Sequence, residues 1–168
     1  MPIVHVRPTV CLQNPFFSHW AAESIAKDGT IRLTFGSGRT SPVDARDVGE
    51  VIAVILANPS AHTGKVYELT GPRSQDMRGV AQEFSNALGR TITYVDIPLE
   101  QWRDQELRGR NFPDHLFEHL LTMARLHAAN RYDRLTRDIE TITGRPARSV
   151  RDFVARQAEL RRATKADG

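Results

Sequence analysis

The chain has 168 residues, of which 40% are hydrophobic and 26% charged, with a formal net charge of +3. These fractions exclude disordered, collagen-like and coiled-coil classes, and the length suits roughly one domain of ~100–200 residues. A lone cysteine, Cys11, excludes an intramolecular disulfide framework, and no apolar run reaches the ~18 residues of a membrane span or the core of a secretory signal, so a cytoplasmic protein is expected.

In chain order, Ile3–Val6 is a β-branched run closed by Arg7-Pro8 and reads as a strand. A strand so short must pair, and its unpaired edge would take a second copy or an upstream half of the fold. Asn14-Pro15 offers an N-cap followed by proline at the first helical position. Phe16, Phe17, Trp20 and Ala21 follow at helical spacing, Asp28-Gly29 ends the helix, and Thr30–Phe35 reads as a strand. Asp44 caps the next helix with Asp47 three positions on, near the positive end of the dipole. Val48, Val51, Ile52, Ile55 and Leu56 then form one apolar stripe, and Asn58-Pro59 stops it.

Lys65–Thr70 is a further strand, turned by Gly71-Pro72. A helix from Asp76 places Met77, Val80, Ala81, Phe84, Ala87 and Leu88 inward and ends at Gly89, and Ile92–Ile97 returns as a strand. Beyond Pro98 the pattern is helical over 99–108, 113–128 and 149–161, with a looser stretch at 130–142, Ser149 as an N-cap and a fraying tail over 161–168. The alternation predicts an α/β fold with an α-rich end.

The positive charge is nearly all arginine and concentrates late, from Arg131 to Arg162, but Asp133, Asp138, Glu140, Asp152 and Glu159 interleave with it. A solvated helical face accounts for that pattern better than a nucleic-acid surface. Gly36-Ser37-Gly38-Arg39-Thr40-Ser41 follows a strand, as a dinucleotide loop would, but Ser41 stands in place of the third glycine and Asp44 at the cap would repel a phosphate. A plain turn is the expected reading. His115-Leu116-Phe117-Glu118-His119 has the spacing of a zinc-peptidase helix, yet Leu116, Phe117, Leu120 and Leu121 make a buried stripe that turns His115, Glu118 and His119 outward. No G-x-S-x-G elbow is present, and Cys11 reads as a small buried hydrophobe.

Several segments share an order and spacing: Arg7-Pro8-Thr9 with Asn14; Pro42-Val43-Asp44-Ala45-Arg46-Asp47-Val48; Gly64-Lys65-Val66-Tyr67-Glu68-Leu69-Thr70-Gly71-Pro72; Ala87-Leu88-Gly89-Arg90 with Ile92-Thr93-Tyr94-Val95; and Thr143-Gly144-Arg145-Pro146 before Phe153-Val154. Together they resemble the C-terminal half of the NmrA-like family of atypical short-chain dehydrogenases/reductases. The resemblance implies a partial Rossmann-type sheet over 1–72, carrying the last strands, and a small α-rich substrate domain over 73–160. It also implies a partial chain whose glycine-rich cofactor loop lies upstream, NADP or NAD as cofactor, and reduction of a small planar acceptor such as a quinone or azo compound.

By the same resemblance, Pro8, Thr9 and Val10 pass the nicotinamide, and Asn14, Phe16, Phe17 and Trp20 line the acceptor site. Hydride passes directly from the cofactor, so no catalytic side chain is required. The tyrosine–lysine dyad of ordinary short-chain dehydrogenases is missing, since Gly71, Pro98 and Thr136 stand four positions after Tyr67, Tyr94 and Tyr132. A non-catalytic dinucleotide-sensing or protein-binding regulator of the same fold is the rival reading.

Overall fold

The computed structural model describes residues 3–166. The element order is β1 (His5–Pro8), α1 (His19–Asp28), β2 (Thr30–Leu33), α2 (Ala45–Ala57), β3 (Val66–Leu69), α3 (Met77–Leu88), β4 (Thr93–Asp96), α4 (Leu99–Trp102), α5 (Asp114–Ala128), α6 (Asp138–Thr143) and α7 (Val150–Ala166). A π-turn (Arg103–Leu107) and a short 3-10 turn (Arg108–Arg110) join α4 to α5. The α/β alternation expected from sequence is present, with shifted edges. β1 lies two residues later than the Ile3–Val6 run, because His5 through Pro8 are the residues that meet β3. Helix α7 continues to Ala166, whereas the sequence pattern ends it at 161, and of the expected tail Asp167 and Gly168 lie outside the described residues.

The strands pair as β1 with β3 and β2 with β4, both parallel and in register His5↔Val66 and Thr30↔Thr93. Among the described residues they form two separate two-stranded sheets. The outer edge of β3 is met by α6 and the segment before it, where Glu68 N–H donates to Asp138 Oδ2 at 2.8 Å. β1 has no second strand among the described residues.

Helix caps follow the sequence where it was specific. Asp44 accepts from Arg46 N–H, Asp76 from Gly79 N–H, and Gly29, Gly89 and Gly144 close α1, α3 and α6 in the left-handed conformation. Asn14 instead caps a turn: its side chain accepts from Phe16 N–H at 3.1 Å, its carbonyl accepts from Phe17 and Ser18, and α1 begins only at His19.

Two hydrophobic cores result. The larger gathers Phe16, Phe17, Ile31, Leu33 and Phe35 with α3, α5 and α7. The smaller gathers Val43, Val51, Ile55, Leu69 and Ile139. Both therefore draw residues from either side of position 72, the expected boundary. The α2 stripe is narrower than its spacing predicts, for Val51 and Ile55 are buried while Ile52 and Leu56 stand 41% and 70% exposed. No helix among the described residues is long and apolar enough to cross a membrane.

Candidate functional site

The parallel strands β1 and β3 end together, and the chain leaving β1 is threaded beside the chain leaving β3. Thr9 N–H donates to Leu69 C=O at 2.9 Å, and the Thr9 hydroxyl donates to Ser41 C=O at 2.7 Å. Val10 C=O accepts from Val43 N–H at 3.0 Å, and Leu12 N–H donates to Val43 C=O at 2.8 Å. Of the four backbone N–H and C=O groups of Thr9 and Val10, the Thr9 amide and the Val10 carbonyl are thus taken by the scaffold. Ser41 C=O also accepts from Gly71 N–H at 3.0 Å, and a Cβ on Gly71 would collide with the Pro42 carbonyl, so this crossing requires a glycine.

Below the crossing, Asp44 is fully buried. Gln13 Nε2 donates to it at 3.0 Å, and Arg46 Nε and Nη2 hold both its oxygens. Burial pushes the Asp44 carboxyl up, but these hydrogen bonds outweigh it and hold the group below the ordinary carboxylate range. Asp47 lies in the first turn of α2, as expected, and has a further role. It is fully buried, accepts from Arg148 N–H at 2.7 Å and Arg145 Nη2 at 2.9 Å, and so fastens α2 to the loop before α7. Burial, then the Asp44 charge, push the Cys11 thiol up, away from the thiolate that nucleophilic chemistry needs.

The expected acceptor residues separate into three places. Asn14 is half-buried at the β1 exit. Phe16 and Phe17 are each 1% exposed and belong to the core, with the Phe16 ring 5.2 Å from Trp20, 5.5 Å from Phe35 and 5.8 Å from Trp102. Trp20 is half-buried and lines a cavity of about 510 Å³ between α1, β2 and the π-turn, whereas Phe17 lines a second of about 330 Å³ between α1, α3 and α7.

The Gly36–Ser41 turn is consumed by the fold. Gly36 N–H donates to Asp96 Oδ1 (2.9 Å), Gly38 N–H to Phe35 C=O (3.0 Å), Arg39 N–H to Asn130 Oδ1 (2.7 Å) and Thr40 N–H to Gln75 C=O (2.9 Å). With these amides engaged it offers no nest for a diphosphate. Sequence reasoning missed the groups surrounding this turn. Tyr94 Oη accepts from Phe35 N–H at 3.0 Å and donates to Asp96 Oδ1 at 2.6 Å, and burial with the Asp96 contact pushes its phenol up. His127 is 1% exposed, stacked on Phe35 at 4.1 Å with both ring nitrogens unpartnered, and burial pushes it down to about 4. Its position three after Ala124 and seven after Leu120, on the buried stripe of α5, is the signal that would have found it. His115, Glu118 and His119 all lie on the exposed face of α5.

Parallel strands with helical crossovers and an α-rich end define a Rossmann-type α/β protein. The quinone oxidoreductase of Escherichia coli solved with NADPH superposes with a TM-score of 0.77 at 20% identity, over 92% of this chain and 54% of that one. The profile of the NmrA-like family matches residues 5–154, and the chain belongs to that family. It is 33% identical to an NAD(P)H azoreductase of Xenophilus azovorans, over 91% of this chain and 52% of that protein. It is 28% identical to a (4-alkanoyl-5-oxo-2,5-dihydrofuran-3-yl)methyl phosphate reductase of Streptomyces griseus, over 95% and 54% respectively. The chain thus spans about half the length of these relatives.

Proposed function

We propose that this chain carries the nicotinamide and acceptor side of an NAD(P)H-dependent reductase of small planar acceptors, of the quinone or azo type. The observation that carries the reading is the placement of Pro8, Thr9 and Val10 at the carboxyl end of β1, beside the carboxyl end of β3. Open parallel α/β sheets bind their ligands outside the carboxyl ends of the strands. The azoreductase relative and the quinone-reductase neighbour support the acceptor class.

The described residues fit one end of the cofactor only. Pro8 fixes the turn, and the Thr9 carbonyl and Val10 amide are the groups that would hold a carboxamide. The Gly36–Ser41 turn does not fit the diphosphate, because its amides donate within the protein. When bound, the cofactor supplies hydride, so the residues of this chain position rather than react. Asn14 has its side-chain oxygen on Phe16 N–H, which leaves the amide NH₂ to donate to an acceptor oxygen or nitrogen. Trp20 offers the half-buried aromatic face, and Phe16 and Phe17 act through it by fixing the start of α1. The open edge of β1 would take a further strand, from a second copy or an upstream half.

Calorimetric titration with NADPH and NADH, followed by turnover of a quinone and azo panel, tests the reading. Saturable binding with turnover is the expected result. Absence of binding at millimolar cofactor overturns it for this chain, and binding without turnover assigns the chain to the dinucleotide-sensing regulators instead.

A further inference from the structure

The cavity between α1, β2 and the π-turn has features that the reductase reading does not use. Its volume is about 510 Å³, within the range of small-molecule sites, and none of Pro8, Thr9, Val10 or Asn14 lines it. The half-buried Trp20 gives it an aromatic wall, held edge-on at 6.5 Å between ring centroids by Trp102, which is itself 1% exposed. One side is built from the π-turn, from which Gln105 and Glu106 reach the space while Leu107, 1% exposed, belongs to the core. Such wide turns are frequent at functional sites.

The charges around the rim are unequal in what they have left to give. Glu23 is held by Arg110 Nη2 at 2.6 Å, and Arg110 lies over the Trp20 ring at 4.8 Å. Asp28 accepts from both the amide and the hydroxyl of Thr30, at 3.1 Å and 2.5 Å. Those two carboxylates are spoken for. Arg32 pairs with Glu106, Nε to Oε1 at 3.6 Å, and is also attracted by Asp28, but neither contact is a hydrogen bond that consumes its guanidinium donors. Lys27 lies on the same wall, and its attraction to Asp28 acts at longer range. Spare donors on a cation pair beside the half-buried Trp20 indole match a flat ring bearing a carboxylate or sulfonate.

We propose that this cavity is a binding site for a planar aromatic anion, with the ring against Trp20 and the anionic group on Arg32 and Lys27. Glu106 competes with the ligand for Arg32 and sets the affinity. The site does not rest on the reductase reading: Trp20 alone is common to both, and binding is read without cofactor.

The test uses 2-naphthoate as probe on the full chain, followed by tryptophan fluorescence and calorimetry. Saturable one-to-one binding below about 1 mM, with quenching, is expected. Uncharged 2-naphthylmethanol should bind about tenfold or more weakly, and so should 2-naphthoate to Arg32→Gln and to the exposed-site variant Lys27→Gln, each melting as the parent does. Glu106→Gln should tighten binding about threefold or more, a gain that a merely structural role would not produce. Absence of saturation at 1 mM, equal binding of the uncharged probe, or unchanged affinity in both cation variants would overturn the proposal.

Discussion

At Gly38 an added Cβ would collide with the carbonyl of His127, and at Gly71 with the carbonyl of Pro42. Backbone cannot withdraw as a side-chain end can, so Gly38→Ala and Gly71→Ala should each cost about 2 kcal/mol or more in thermal unfolding. Gly49, inside α2 with open space around it, is the contrast: Gly49→Ala should stabilise by about 0.5–1 kcal/mol. The sequence identifies Gly36–Ser41 as a turn, but what makes Gly38 obligatory is the arrival of α5 from 89 residues further on, which no local pattern encodes.

His127 has a pH signature of its own. Its ordinary value is 6.5 and burial pushes it down to about 4. Between those values the unfolded chain binds a proton that the folded chain does not. Stability is therefore full above about pH 6.5 and falls as pH drops toward 4, by up to ~1.4 kcal/mol per pH unit. Urea midpoints at pH 7.5 and 5.0 should differ accordingly, and His127→Phe, which keeps the stack on Phe35 and removes both unpartnered nitrogens, should flatten that difference. An unchanged slope in the variant would place the acid sensitivity elsewhere.

Helix α2 shows what element-level reading reaches. Its existence, its cap at Asp44 and its stop at Asn58 all follow from local chemistry. Which side faces inward does not follow completely, for Ile52 and Leu56 fit the apolar spacing yet lie outward. Besides the buried Val51 and Ile55, ion pairs hold the helix. Asp47 and Glu50, one turn apart, receive Arg145 and Arg148, with Arg148 Nη2 on Glu50 at 2.7 Å and Arg145 Nη2 on Asp47 at 2.9 Å. Those arginines follow α6 in the chain, nearly a hundred positions away, so spacing could not announce the clamp. Strand pairing is hidden for the same reason, since period-two patterns do not say which strand is whose neighbour. Asp47→Asn keeps the shape and removes the charge from a fully buried acceptor facing two guanidiniums. The expected loss is about 2–3 kcal/mol by denaturant titration, and Arg148→Met should cost less in the Asn variant than in the parent, because one of its two carboxylate partners is already gone. Additive losses in the double variant would show that the clamp carries little energy.

Across the whole molecule, the two cores are joined by the segment between α5 and α6. Asn130 accepts from Arg39, Asp133 from Ser74, the Arg134 carbonyl from the Ser41 hydroxyl, and Arg134 pairs with Glu68. At its end Thr136 N–H donates to the Thr70 hydroxyl at 3.1 Å, and the Thr136 hydroxyl donates to the Glu68 carbonyl. From sequence this stretch is only a looser interval among helices. Its polar residues look solvated until Thr70, 2% exposed, is seen to depend on them. Replacing Thr70 and Thr136 together by valine keeps the side-chain shape and deletes the hydroxyl bonds on both sides of the seam. Each substitution should cost about 1–2 kcal/mol. Native-state hydrogen exchange then separates two kinds of molecule. If the segment carries the coupling, the amides of Val51 and Ile55 in the smaller core should exchange at a free energy lower by about 2 kcal/mol in the double variant, while those of Ile31 and Phe84 in the larger core keep their parental protection. An equal fall at all four positions would mean that the cores open as one cooperative unit, with packing rather than this segment holding them together.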